Sequence, residues 1–148
     1  MSQCIEKTGF HKLLRDCYYL EGMIALSRGS SGESIVQFSK AAELLSYQNI
    51  VSDKHAFYLE ALASALYQNG DLDLARAQYE KVVSLTTGIL TSGDAYARSL
   101  LQLARICQEK NDPEKAREFL QKYLAVRAEA DAGLPEVEQA RRLLASLS

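Results

Sequence analysis

The feature that most constrains this chain is that it repeats itself. Gly29, Gly70 and Asn111 stand 41 residues apart, and the same interval links Ser34, Ala75 and Ala116, then Phe38, Tyr79 and Leu120, then Gly22, Ala63 and Ala104. Self-similarity at a fixed interval is the mark of a stacked-repeat architecture, in which each unit buries its apolar face against the next. The columns alternate between small and large residues. Two antiparallel helices in close contact need that alternation, because a small residue on one lets a bulky residue of the other seat against its backbone.

Between the helices, Arg28-Gly29-Ser30-Ser31-Gly32, Asn69-Gly70-Asp71 and Lys110-Asn111-Asp112-Pro113 supply the turns. Gly or Asn accepts the left-handed conformation that ends a helix, and Ser or Asp is placed to cap the next. Pro113 suits a first helical turn, where its missing N–H costs nothing. These signals predict helices at 9–28, 31–46, 53–69, 72–87, 94–110, 113–128 and 135–147, that is, three hairpins and a seventh helix. The last stays in register: Asp53, Asp94 and Pro135 start equivalent helices, and Leu62, Leu103 and Leu144 align, as do Ala63, Ala104 and Ala145. With Glu136, Glu138, Arg141 and Arg142 on a wettable side, it suits a terminal cap. The expected fold is all-α, a right-handed α-solenoid within a single domain over 1–148, with repeats at 9–46, 53–87 and 94–128 and a capping helix at 135–147.

Composition narrows the function classes. Lys and Arg number 17 against 19 Asp and Glu, a formal charge of -2, so no field for nucleic acid is expected. Apolar residues make up 47% of the 148, but in runs far shorter than the roughly 20 a membrane-spanning helix needs. No basic flank leads into an apolar stretch at the start, so no secretory signal is read and a cytoplasmic address is expected. Three cysteines, at 4, 17 and 107, make an odd count without Cys-x-x-Cys spacing, which speaks against a disulfide framework and a zinc site. Cys17 and Cys107 sit on apolar faces beside Leu14 and Leu103, as small hydrophobes do. His11 and His55 have no metal-ligand spacing, and the turn glycines form no phosphate-binding pattern. The pairs Asp71 with Asp73 and Glu136 with Glu138 belong at helix N-termini, where they complement the dipole. No catalytic residue, cofactor or metal is assigned, and the chain is read as a non-enzyme.

The unit resembles the tetratricopeptide repeat. The central copy carries the resemblance best, with Leu59, Leu62, Ala63, Leu66, Gly70, Ala75 and Tyr79 at the signature positions and Val82 where Ala is usual. The first keeps Gly22, Gly29, Phe38 and Ala41 but has Ser34 for an Ala; the third keeps Leu100, Leu103, Ala104 and Ala116, with Leu120 and Tyr123 at the bulky sites. The interval departs from the family's usual spacing of about 34, the extra residues falling near Tyr47 to Ser52, Thr87 to Gly93 and Ala128 to Leu134. The stretch from Leu85 through Tyr96 to the Pro135-Glu136-Val137-Glu138 tail is also similar to C-terminal repeat arrays of large bacterial signalling proteins, which carry kinase, cyclase or DNA-binding domains.

The resemblance implies a protein-interaction scaffold whose first helices line a concave groove. It places Asp16, Tyr19, Met23 and Leu26 of the first unit in that groove, Phe57, Glu60, Ser64 and Tyr67 of the second, and Arg98, Leu101, Arg105 and Gln108 of the third. The groove is expected to run from apolar to cationic. Family members that clamp acidic chaperone tails use four polar or cationic sites held here by Tyr19, Met23, Arg98 and Gln102, so a clamp of that kind is disfavoured. Arg98 and Arg105 either hold an acidic segment or are solvated or paired with Glu109 or Asp94. The alternative function is a regulatory sensor that takes a peptide or small effector in the groove and controls a linked domain.

The first helix is unusual: from Cys17 to Leu26 it is apolar almost all round, and such a helix must be covered on more than one side. Phe10, Leu13, Leu14, Tyr18 and Tyr19 are therefore candidates for self-association or for docking an upstream repeat. The other reading packs this helix only on its own hairpin and the next.

Overall fold

The three predicted turns share one hydrogen-bonding scheme. In the computed structural model, which describes residues 11–45, 54–85, 93–128 and 134–147, Gly29, Gly70 and Asn111 take φ of 76°, 88° and 57°. Around each, the next residue's N–H reaches back to close the helix: Ser30 N to Ala25 O, Asp71 N to Leu66 O, and Asp112 N to Cys107 O. The left-handed residue's own N–H bonds Leu26 O, Tyr67 O and Gln108 O respectively. This pair of bonds satisfies carbonyls that a helix end leaves open, and it needs one residue at positive φ, which Gly adopts freely and Asn tolerates.

These turns join α1 (His11–Ser27) to α2 (Ser31–Glu43), α3 (Lys54–Asn69) to α4 (Leu72–Ser84), and α5 (Gly93–Glu109) to α6 (Pro113–Val126). A seventh helix, α7 (Pro135–Ser146), follows. Among the described residues there is no strand. The links between hairpins, where the extra residues of each repeat fall, lie largely outside the described residues. Helices α2 and α4 end at Glu43 and Ser84, earlier than the expected 46 and 87; beyond the latter, Leu85 is extended at φ −66°, ψ 114°.

The capping expectation needs correction. Only Asp112 caps with its side chain, accepting from Lys115 N at 3.3 Å ahead of Pro113. Ser30 and Asp71 make no such bond. Asp71 instead accepts from Asn69 Nδ2 at 2.7 Å across the turn, so its carboxylate serves the preceding helix end.

All nine members of the three small and large columns within the hairpins are buried. Ser34, Ala75 and Ala116 are fully enclosed, as are Phe38, Tyr79 and Leu120 to within 2%, and Gly22, Ala63 and Ala104 are buried opposite them. The hydroxyl of Ser34 is satisfied by Ser31 O at 2.7 Å, which lets a polar residue stand where Ala is usual. Substantial packing joins sequence neighbours, with α3 also touching α5. The helices are therefore piled in line. One core runs from Phe38 through Leu62, Leu66 and Tyr79 to Leu103 and Ile106; a second joins Leu100, Leu120 and Tyr123 to Val137 and Ala140 of α7. On α7, Glu136, Arg141 and Arg142 stay exposed, so this end of the stack has a wetted face.

Candidate functional site

The first helices of the hairpins, α1, α3 and α5, bear the twelve positions that the resemblance assigns to a groove, and polar side chains stitch neighbouring first helices together. Tyr58 Oη on α3 donates to Asp16 Oδ1 on α1. Tyr67 Oη on α3 donates to Glu109 Oε1 on α5. Arg98 on α5 forks onto Glu60 of α3, with Nε 2.6 Å from Oε1 and Nη2 2.9 Å from Oε2. Arg105 Nη2 donates to Gln139 Oε1 of α7 at 2.8 Å. Each bridge spans one unit to the next.

The apolar end centres on Tyr19. Its ring lies 4.7 Å from Phe57, 5.6 Å from Phe38 and 5.4 Å, edge-on, from Tyr58, offset and tilted arrangements that the ring quadrupoles favour. Burial, and then the nearby Glu60 charge, push the Tyr19 phenol above its ordinary value. Beneath it, the Arg15 guanidinium stacks 4.8 Å from the Tyr58 ring centre, and Arg15 Nε lies 3.7 Å from Asp16 Oδ1, an ion pair too long to be a hydrogen bond. Phe57 and Met23 remain 46% and 43% exposed. Two apolar side chains are thus open beside a rigid aromatic cluster. Leu26 is partly buried against the core, and Ser64 and Gln108 are half-buried.

At the cationic end Arg98 follows the paired reading, with Asp94 as one of its partners. Arg98 is held by the Glu60 fork and also by Asp94, and these two carboxylates raise its pKa. Asp94 is itself shared with Arg127 at 2.5 Å; that bond foremost, with Arg98, holds its carboxyl below the usual range. Arg98 is therefore neutralised within the fold. Arg105 donates to the neutral amide oxygen of Gln139, a contact that does not cancel its charge. Leu101 is 5% exposed, packed with Val137 and Ala140 of α7; the terminal helix covers this groove position.

Reasoning from the sequence singled out Asp16, Glu60, Tyr67, Arg98 and Arg105 and named Asp94 as a partner for the arginines, but it missed Tyr58 and Gln139 and offered Glu109 to an arginine where it accepts from Tyr67. A signal was present. Asp16 to Tyr58 and Tyr67 to Glu109 are both separations of 42, one more than the repeat interval, and a search for polar pairs at that offset would have exposed them. Of the first-hairpin candidates, Leu14 is buried, Tyr18 and Tyr19 are half-buried, Leu13 is 53% exposed, and Phe10 lies outside the described residues. Lys40 Nζ sits 5.3 Å over the Tyr18 ring.

Apart from the groove, a cleft of about 610 Å³ opens between α2, α3 and α4, with Leu45, Leu59, Leu62 and Leu85 among its walls and Glu43 and Lys81 at its edge. None of the twelve groove residues lines it; His55, Leu59 and Leu62 occupy the opposite face of α3 from Phe57, Glu60 and Ser64. Cys107 is buried and its thiol is pushed up by that burial, so it stays protonated and weakly nucleophilic; Cys17 is half-buried. His11 is exposed and His55 buried. Among the described residues no cluster of three or more His, Cys, Asp or Glu is placed to hold a metal, and no helix is long and apolar enough to cross a membrane.

Paired antiparallel helices, repeated and stacked in line, define a helical-repeat solenoid. A tetratricopeptide-repeat family model matches residues 54–129, just over half of the chain, and the protein belongs to the tetratricopeptide repeat family. Repeats of this family are protein-interaction modules. The fold is similar to the crystal structure of BtubC (BKLC) from P. vanneervenii, at a TM-score of 0.77 and 19% identity, over 93% of this chain and 56% of that one. This chain thus spans little more than half the length of that neighbour. A comparison with curated proteins gave no match.

Proposed function

We propose that this protein is a non-catalytic, cytoplasmic scaffold that takes a partner's protein segment along the first helices of its hairpins, with the grip at the apolar end. The observation that carries this reading is Phe57, 46% exposed yet held 4.7 Å from the Tyr19 ring. An aromatic side chain that is wet but already immobilised loses little freedom when a partner covers it, and anchors of this kind dominate interface energetics. Met23, one turn along α1 from Tyr19, extends the surface with an adaptable side chain. The favoured partner segment is apolar at this end and carries an acidic group to meet Arg105. Arg98, already chelated, contributes shape more than charge.

The test is affinity capture from the source cell with the wild-type chain, with Phe57→Glu, and with Leu74→Glu on α4, a residue 57% exposed away from the groove. Circular dichroism verifies that all three fold. A protein retained by the wild type and by Leu74→Glu but lost from Phe57→Glu supports the reading; identical capture by all three refutes it.

The sensor reading, in which a peptide or small effector controls a linked domain, has one observation in its favour. The cleft between α2, α3 and α4 has the size of a ligand pocket, and Leu45, Leu59, Leu62 and Leu85 give its wall an apolar part. It lies off the groove, so a sensor of this kind would use the other face of α3. A Leu59→Gln variant that loses an effector-induced rise in melting temperature, while Phe57→Glu keeps it, would favour that reading over the scaffold.

A further inference from the structure

The two ends of the stack are finished differently. On α7 the outward side carries Glu136, Arg141 and Arg142, whereas the outward side of α1 carries Leu13, Leu20 and Ile24, exposed by 53%, 60% and 50%, with Cys17 between them. The inward side of α1 is a different set, including Leu14, Gly22 and Ala25. Elsewhere in the stack the outward face is occupied. The residues 41 and 82 positions on from Cys17 are Tyr58 and Ser99, and those from Ile24 are Ala65 and Ile106; all four are buried, because α3 and α5 each receive the hairpin before them. On α1 the same face has no such cover among the described residues.

We infer that this face is the seam of a symmetric dimer, in which α1 packs antiparallel on α1 of a second copy of the chain. The inference deepens the proposal that the first hairpin self-associates, and it is independent of the groove. Three observations point to a second copy. The stripe is spaced 4, 3 and 4 residues apart along α1, at 13, 17, 20 and 24, the spacing of a helix–helix seam. That spacing reads the same in both directions, so an antiparallel copy sets Leu13 against the partner's Ile24 and Cys17 against the partner's Leu20, apolar on apolar in all four layers. Such self-complementarity is what a two-fold interface requires, since each contact must occur twice. Antiparallel pairing also places each helix N-terminus beside the other's C-terminus, which the backbone dipoles favour. Finally, Asp16, a carboxylate bordering the stripe, is already engaged by Tyr58 Oη and Arg15, so covering the seam leaves that carboxylate paired.

Sedimentation of the full chain over roughly a thousandfold concentration range tests this. The wild type should move from a monomer mass of 16.4 kDa to twice that. Leu20→Glu should raise the dissociation constant at least about 100-fold, as loss of central anchor residues does, with unchanged helicity, while Phe57→Glu should dimerise like the wild type. Register is read by oxidation: Cys4→Ser/Leu20→Cys should give a covalent dimer through Cys17, and adding Cys17→Ser should abolish it. A wild-type chain that stays monomeric throughout, or a Leu20→Glu variant that dimerises unimpaired, overturns the inference, and neither result bears on partner capture by the groove. A Phe57→Glu variant that loses dimerisation also overturns it, by moving the contact to the groove.

Discussion

Gly22→Ala is the sharpest probe of the packing that creates the groove. Gly22 lies on α1 against Phe38 of α2, and a Cβ built on it would fall 2.6 Å from Cε1, 2.7 Å from Cδ1 and 3.0 Å from Cζ of the ring. Carbon atoms settle at about 3.5–4.0 Å, so the ring must retreat by roughly 1 Å. It has nowhere to go: Phe38 is 1% exposed and its centre lies 5.6 Å from Tyr19. Overpacking of this kind costs about 1–3 kcal/mol. Against it stands the gain of roughly 0.8–1 kcal/mol from replacing Gly in a helix interior. The steric term is the larger, leaving a net loss of up to about 2 kcal/mol, or a fall in melting temperature of up to about 6 °C for a chain of this size. The assay is thermal and urea unfolding followed by circular dichroism. The third unit already pairs Ala104 with Leu120, so Phe38→Leu should relieve the clash, and the double variant should lose less than the sum of the singles by about 1 kcal/mol. Gly22→Ala at or above wild-type stability, or an additive cycle, would refute the reasoning.

Three further predictions rest on the bridges and on one orphaned hydroxyl. Tyr58→Phe removes the donor to Asp16, whose side chain is 41% exposed, and should cost about 1 kcal/mol in denaturant unfolding. Asp94 has its folded pKa lowered, so its contribution is complete above the unfolded value of about 3.9 and is lost as pH falls through the lower folded value. Asp94→Asn should therefore be less stable at neutral pH and lose less stability than wild type between about pH 5 and pH 2, read as melting temperature against pH. Ser99 Oγ is buried without a hydrogen-bond partner, so Ser99→Ala should be neutral or raise stability by about 1 kcal/mol; a loss would mean that the hydroxyl is satisfied.

Legibility in the sequence followed locality. The turns were readable because Gly29, Gly70 and Asn111 each answer a requirement for positive φ that no neighbouring element alters. The side chains that cap a turn were less so: Ser30, Asp71 and Asp112 look alike as caps, and only Asp112 makes the bond, because Asn69 competes for Asp71. In the groove, a resemblance named twelve positions, yet their availability to a partner differs widely. Met23 and Phe57 are open, Leu101 is under α7, and Arg98 is spent on Glu60.

The repeat, the pairing of helices and the buried small and large columns are properties of the sequence by itself, since side-chain volumes recurring at one interval impose the same nesting on each hairpin. What only the tertiary structure decided is which polar and aromatic side chains meet across neighbouring units. That depends on the rotation and offset between successive first helices, which place Tyr58 on Asp16 and Glu60 on Arg98. A shift of an ångström or two between units would open these contacts while leaving every column buried, so the pattern of sizes carries no record of them.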